Sequence, residues 1–321
     1  MNHTDTVTDM YDVVVAGGGA AGLSAALVLA RARRRVAVVD AGEPRNAPAG
    51  QIRGFLSRDG MAPAALLEAG RAEAAGYGAH LIDGTVDEIT PAAGGGFLVR
   101  LSGGPVLPAR RVLVATGLRD GLPALPGVRD RWGRDVLHCP YCHGHEVRDR
   151  PLGVLATEPR AVDQALLLLQ WSGDVTLFTH TLELTGEQRE RLAAREVRIV
   201  GGEVRRLITD NGPLRGVELA DGRTVPRDAV FVQPRMVPRD TLLSGLGCPV
   251  DDQGWTVTDA SGRTGVPGVW AVGNVADPRS QVITAAGMGS AAAIGINHGL
   301  VEEETARAVA RRRSAAPARE E

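Results

Sequence analysis

Lysine is missing from this chain of 321 residues; all 36 of its Lys+Arg positions are arginine. That excludes chemistry built on a primary side-chain amine, such as Schiff-base formation or a phosphate-loop lysine. Aromatic residues make up only 3% and the formal net charge is −2, so the chain has neither a basic footprint nor stacking platforms for nucleic acid. No apolar run is long enough to span a bilayer, and residues 1–10 are polar without the basic-then-apolar pattern of a secretion signal. The expectation is a cytoplasmic protein with no nucleic-acid and no membrane partner. Cysteine is scarce as well, and three in a chain of this size do not make a disulfide framework.

What is present is a composition of 44% hydrophobic and 23% charged residues, enough to bury the cores of two ordinary domains. Two of the three cysteines fall in one string, His138-Cys139-Pro140-Tyr141-Cys142-His143-Gly144-His145-Glu146. A Cys-x-x-Cys pair can close into a disulfide and reopen, because one thiol is held beside the sulfur it must attack. Exchange needs a base whose pKa lies near ambient pH, which imidazole supplies better than an unperturbed carboxylate. His143 and His145 are therefore acid/base candidates, and Glu146 could orient a histidine. Cys139, Cys142, His143 and His145 are also the ligand types of a zinc site, but short-range matches of this kind are cheap, and no metal is expected. Cys248 has no partner in the sequence and is expected to be a buried small hydrophobe.

The N-terminal region carries a dinucleotide fingerprint in its full context. An apolar strand, Tyr11–Ala16, leads into Gly17-Gly18-Gly19-Ala20-Ala21-Gly22, then a helical stretch, then a second apolar run ending in Asp40. Gly17 permits the tight turn, Gly19 lets a pyrophosphate approach the backbone, Gly22 allows close helix packing, and Asp40 can accept from a ribose hydroxyl. A strand running into Ala115-Thr116-Gly117 is echoed near the C-terminus by one running into Gly273-Asn274, which is followed by a small-residue helix over residues 284–295. In the middle of the chain a second strand–turn–helix begins at Leu152. Its turn reads Thr157-Glu158-Pro159-Arg160-Ala161, without glycines, with a carboxylate, and with a proline that removes a backbone donor.

These motifs, in this order, resemble the low-molecular-weight thioredoxin reductases, FAD flavoproteins of the pyridine-nucleotide disulfide reductase superfamily. The resemblance implies an α/β fold with two Rossmann-like, three-layer β/β/α domains. An FAD domain, residues 1–117 and 244–305, would carry a smaller inserted domain, residues 118–243, that holds the Cys-x-x-Cys, and residues 306–321 would form a charged tail. It also implies FAD binding by Gly17, Gly19, Ala20, Ala21, Gly22, Asp40, Ala115, Thr116, Gly117, Gly273, Asn274, Gln281 and Val282, and a homodimer. Family reductases keep a glycine-rich turn and an arginine-bearing segment for NADPH where this chain has residues 157–161 and 179–181, so loss of NADPH binding is expected. The Cys-Pro-Tyr-Cys-His-Gly-x-Glu string is similar to that of the dithiol oxidases of holomycin and gliotoxin biosynthesis. That implies a small-molecule dithiol as substrate, molecular oxygen as acceptor and hydrogen peroxide as product, with Cys139 facing the substrate, Cys142 facing the flavin and His143 in the acid/base position. A thioredoxin reductase-like disulfide reductase, drawing on NADPH or another donor, is the alternative. Cys-Pro-Tyr-Cys is also a glutaredoxin string, but those short domains carry it near the N-terminus, after the first strand.

Overall fold

The computed structural model of the chain describes residues 10–209 and 212–315. It divides into two compact units: one comprises the residues up to Pro44, Ala65–Leu118 and those from Pro238 onward, the other Arg45–Ala64 and Arg119–Val237. In chain order the elements begin with β1 (Tyr11–Ala16), α1 (Ala20–Arg31), β2 (Val36–Asp40), α2 (Pro63–Gly76) and β3 (His80–Asp83). Then come β4 (Val86–Pro91), β5 (Phe97–Leu101), β6 (Val106–Val114), β7 (Leu118–Gly121), α3 (Val128–Arg131), β8 (Val136–Leu137) and α4 (Pro140–His143). The middle continues with β9 (Leu152–Leu155), α5 (Ala161–Leu168), β10 (Val175–Phe178), α6 (Gly186–Ala194), β11 (Arg198–Val200), β12 (Val204–Ile208), β13 (Gly216–Leu219), β14 (Thr224–Pro226) and β15 (Ala229–Val232). The chain closes with β16 (Arg235–Pro238), α7 (Thr241–Gly245), β17 (Val269–Ala271) and α8 (Val282–Ala315). β7 and β16, which carry the chain out of the first unit and back, pair as a two-stranded ribbon.

The first unit holds a sheet of order β3-β2-β1-β6-β5-β4, with β17 on β6. β1 lies parallel to both β2 and β6, and its valines are buried on both faces, as a central parallel strand requires. Alternation then sorts them: Val13 and Val15 pack with Ala25, Leu29 and Ile296 of the helical layer, whereas Val14 and Ala16 face Phe97, Val99 and Leu107 of the meander. One edge of β6 serves two partners, antiparallel β5 along residues 106–109 and parallel β17 along residues 112–114. The helical layer is closed where α8 crosses α1. A Cβ on Gly289 would lie 2.0 Å from the Ala21 carbonyl oxygen, so only glycine lets the two backbones meet there.

The second unit repeats the plan. Its parallel sheet runs β11-β10-β9-β15-β8, with a separate antiparallel sheet β12-β13-β14. Leu152, Val154 and Phe231 face α5 and α6, while Leu155, Val230 and Val232 face Val204, Leu207 and Val217 of the small sheet. The α/β, thioredoxin reductase-like fold class is thus the one that the motifs imply. Among the described residues no helix is long and apolar enough to cross a membrane.

Three local features refine the sequence reading. Residues 81–89 have strand-like composition, but Gly84 (φ +152°) divides them into β3, which extends the parallel sheet, and β4, which starts the meander. α6 is an additional helix, opened by a capping box between Thr185 and Gln188. α8 runs without interruption through the charged segment as far as Ala315; the remaining residues of the tail, 316–321, lie outside the described residues. Ion pairs hold that extension. Glu304 meets Arg34 and Arg110 at 2.6 Å each, Arg110 meets Asp12 at 2.9 Å, and Glu303 meets Arg111 at 2.5 Å.

The two arginines pull the Glu304 carboxyl from its ordinary 4.5 down to about 2. A depressed carboxyl stabilises the fold above its unfolded pKa and loses that contribution as pH falls through the folded one. Glu304→Gln should therefore lower stability at pH 7 by no more than about 1 kcal/mol, since the site is partly exposed. The difference from wild type in urea melts should fade between pH 4.5 and pH 2.

Candidate active site

In the first unit the glycine motif is built by close approach. Gly17 has φ +108° and a Cβ there would lie 2.4 Å from the Ala115 carbonyl oxygen; one on Gly22 would lie 1.9 Å from the Gly17 carbonyl oxygen. The Ala115 N–H donates to the Ala16 carbonyl at 2.7 Å, which seats Ala115-Thr116-Gly117 beside the turn. The Thr116 hydroxyl then donates to the Arg239 carbonyl at 2.6 Å, and the Arg239 N–H to the Gly117 carbonyl at 2.9 Å. Gly273, with φ +72°, comes against Ala21, where its Cβ would be 3.1 Å from that of the alanine. Gln281 and Val282 stand at the start of α8, the Gln281 carbonyl accepting the Ala285 N–H at 2.8 Å.

Asp40 accepts the Gly18 N–H at 3.0 Å and lies 3.6 Å from Arg71. Asn274 donates its side-chain amide to the carbonyls of Asp277 and Ser280, both at 3.0 Å, so its amide hydrogens shape the loop leading to α8.

These residues fit FAD. Gly19 opens α1 in an extended conformation, and among the described residues no side chain caps it and no atom lies within 4 Å of where its Cβ would be. An open backbone at a helix N-terminus is what a pyrophosphate requires.

In the second unit Cys139 and Cys142 form a disulfide with Cα atoms 5.2 Å apart. Cys139 is the N-cap of α4, Pro140 fills the first helical position, and the Cys139 sulfur accepts the Cys142 N–H at 3.2 Å. Gly144 is required behind the pair, since a Cβ there would lie 2.6 Å from the Pro140 carbonyl oxygen and 2.7 Å from Trp171. Tyr141 is 66% exposed and meets Trp171 edge to face, with ring centroids 5.6 Å apart. His143 is half-buried beside the cysteines. Burial pushes its pKa below the usual imidazole range, Glu146 opposes that, and Arg53 adds to it. His145 is exposed. His138 is also lowered, first by burial and then by Arg45; Asp120, which holds Arg45 at 2.7 Å, opposes the shift. The His138 carbonyl accepts from buried Gln164 at 2.7 Å, which anchors the strand entering the motif.

The sequence did not reveal that residues 45–64 belong to this unit. They bring Arg53 within 3.0 Å of Glu146 and Arg45 to Asp120, and no local pattern marks either arginine. Among the described residues no three His, Cys, Asp or Glu side chains gather as a metal ion needs. Cys248 is buried against Thr264, and burial raises its thiol pKa.

The second strand-to-helix turn is closed. The Ala161 N–H donates to the Glu158 carbonyl at 3.0 Å and the Val162 N–H to the Pro159 carbonyl at 3.2 Å, so the first donors of α5 are spent inside the turn. After β10, His180 (φ +48°) accepts the Val204 N–H at 3.0 Å on Nδ1 and thereby braces β12.

Two dinucleotide-type units, one with an open glycine turn and one with a redox-capable cysteine pair, define an FAD-dependent thiol/disulfide oxidoreductase. The model of the pyridine nucleotide-disulphide oxidoreductase family matches residues 11–289, and the chain belongs to that family. The crystal structure of HlmI is 61% identical, with a TM-score of 0.93 over 96% of this chain and 98% of that one. Thioredoxin reductase sirT of Leptosphaeria maculans is 30% identical over 91% of this chain and 95% of its own length. Thioredoxin reductase aclD of Aspergillus oryzae is 31% identical over 93% of this chain and 99% of its own.

The open space at Gly19 gives a sharp expectation. Gly19→Val should fold with wild-type secondary structure and apo-protein melting, yet weaken FAD binding about 100-fold, or about 2.7 kcal/mol. Flavin absorbance after gel filtration checks it, and full retention of flavin would put the pyrophosphate elsewhere.

Proposed function

We propose that the protein is a dithiol oxidase, which forms a disulfide in a small-molecule dithiol and delivers the electrons to molecular oxygen as hydrogen peroxide. The observation that carries this reading is the closed turn at residues 157–161. Pro159 has no N–H, Glu158 adds a negative charge, and the Ala161 and Val162 donors are already engaged, which disfavours a nicotinamide dinucleotide pyrophosphate in this unit. Electrons then have to enter from a thiol. The string Cys139 to Glu146, shared with the dithiol oxidases that the sequence resembles, points the same way.

Bound FAD supplies a two-electron acceptor that oxygen can reoxidise. The chain's own residues manage sulfur and protons. A substrate thiol gives its proton to the His143 imidazole, and its thiolate attacks the Cys139 sulfur; the Cys139–Cys142 bond breaks, and Cys142 leaves as a thiolate. The second substrate thiol gives its proton to the Cys142 thiolate, and its sulfur attacks the substrate sulfur now joined to Cys139. This closes the product disulfide and releases Cys139 as a thiolate beside the Cys142 N–H. Two electrons and two protons have left the dithiol, and the enzyme pair is reduced. His145, exposed on the same turn, is the second candidate for proton transfer to solvent. Gly17, Gly19, Ala20, Ala21, Gly22, Asp40, Ala115, Thr116, Gly117, Gly273, Asn274, Gln281 and Val282 hold FAD in this reading. α8 leaves Ile283, Ile294 and Val301 exposed at helical spacing, an apolar stripe suited to a second copy of the chain.

Anaerobic mixing separates this reading from a disulfide reductase. The flavin should stay oxidised with NADPH and bleach with a dithiol such as dithiothreitol, whereas rapid bleaching by NADPH would overturn the oxidase assignment. In air, dithiol-dependent peroxide release should fall below about 1% of wild type in Cys139→Ser, because the attacked sulfur is gone.

A further inference from the structure

Residues 51–61 form a closed turn that carries Arg53 within the cysteine-bearing unit. Ile52 is its buried foot, and backbone hydrogen bonds close it, from the Ile52 N–H to the Met61 carbonyl at 2.8 Å and from the Gly60 N–H to the Ile52 carbonyl at 2.9 Å. Asp59 stiffens it from within by accepting the Gly54 N–H at 2.8 Å and the Arg53 guanidinium at 3.3 Å. The same guanidinium donates to Gln51. From this mount the Arg53 Nε reaches the Glu146 Oε1 at 3.0 Å. Glu146 follows His143 by one turn, its N–H donating to the His143 carbonyl at 3.1 Å. A partly exposed ion pair adds little to stability, too little to account for so constrained a mount.

We propose that Arg53 is a positioning residue for the redox pair: it fixes the Glu146 carboxylate and sets a cation against that anion beside the His143 imidazole. The inference rests on His143 as the proton-handling group of the proposed dithiol reaction. Among the described residues the charged and titratable groups that act electrostatically with His143 are Glu146 from its own turn, Arg53 from the loop and His138 from the strand before Cys139. Burial acts first and disfavours the imidazolium, Glu146 favours it, and Arg53 disfavours it. With both ions in place the imidazole is neutral near pH 7 and can accept the substrate thiol's proton. Without Arg53 it protonates at higher pH, and without Glu146 at lower pH.

The two members of one ion pair should therefore shift His143 in opposite directions, which a purely structural contact would not do. The test is an NMR titration of the labelled imidazole in oxidised, flavin-loaded protein. Arg53→Gln should raise the His143 midpoint and Glu146→Gln lower it, each by roughly half a pH unit. Arg53→Lys should restore the wild-type value. The acid limb of flavin bleaching by dithiothreitol should move in the same two senses. Shifts of one sign in both variants, or no shift in either, would overturn the role of Arg53. If dithiothreitol does not bleach the flavin, the dithiol reading fails, while the titration midpoints still decide the role of Arg53.

Discussion

The cofactor end of the first unit depends on backbone meeting backbone without an intervening methyl group. At Gly22 against Gly17, Gly17 against Ala115 and Gly289 against Ala21, an added Cβ would sit 1.9 to 2.4 Å from a carbonyl oxygen. Such contacts bring chain segments from three distant parts of the sequence to one helix start. Close packing of this kind tolerates little extra volume. What the approach creates is an exposed set of peptide dipoles at Gly19, held by main chain rather than by long side chains, and so already in place before an anion arrives.

The second unit shows how the same supersecondary device loses that property. β9, its turn and α5 repeat the strand–turn–helix of β1 and α1, and the sheet order is of the same parallel kind. The turn sequence decides the chemistry. A run of small residues leaves the donors of α1 facing outward, whereas Glu158 and Pro159 tighten the entry to α5 into a turn that takes up its first donors internally. At the end of β10, His180 is likewise bound to the main chain of β12. Topology supports a site of this class, and a few turn residues decide which backbone donors it offers.

How much of this could be read in advance follows from the range of the forces involved. The glycine motif, Asp40 and the cysteine string are local patterns with local consequences, and the sequence shows them directly. Gly84 is a visible break between the strand-like residues on either side of it. The capping box at Thr185 and Gln188 was also visible and opens a helix with few apolar residues. α8 continues through a polar outer half, where Glu303 and Glu304 meet Arg34, Arg110 and Arg111, pairs that no window of sequence contains. Arg53 was illegible for the same reason. Its meaning lies in a contact with Glu146 formed only when residues 45–64 pack into the other unit.

That contact bears on how the cysteine turn divides its work. Imidazolium groups commonly stabilise thiolates, yet burial disfavours the charged form of both histidines that flank the pair, His138 and His143. In the proposed reaction the leaving Cys139 thiolate also meets a fixed peptide donor that already points at its sulfur, the Cys142 N–H at 3.2 Å. Separating the two duties has a kinetic advantage. A sulfur stabilised by a fixed dipole leaves readily, while a neighbouring imidazole that starts neutral is free to deprotonate the incoming thiol. If the same imidazole were charged to hold the thiolate, it could not act as the base. On the proposed role of Arg53, burial acts first and the opposed charges of Glu146 and Arg53 then adjust the imidazole, so that a loop remote in sequence would bear on the chemistry of the cysteine pair.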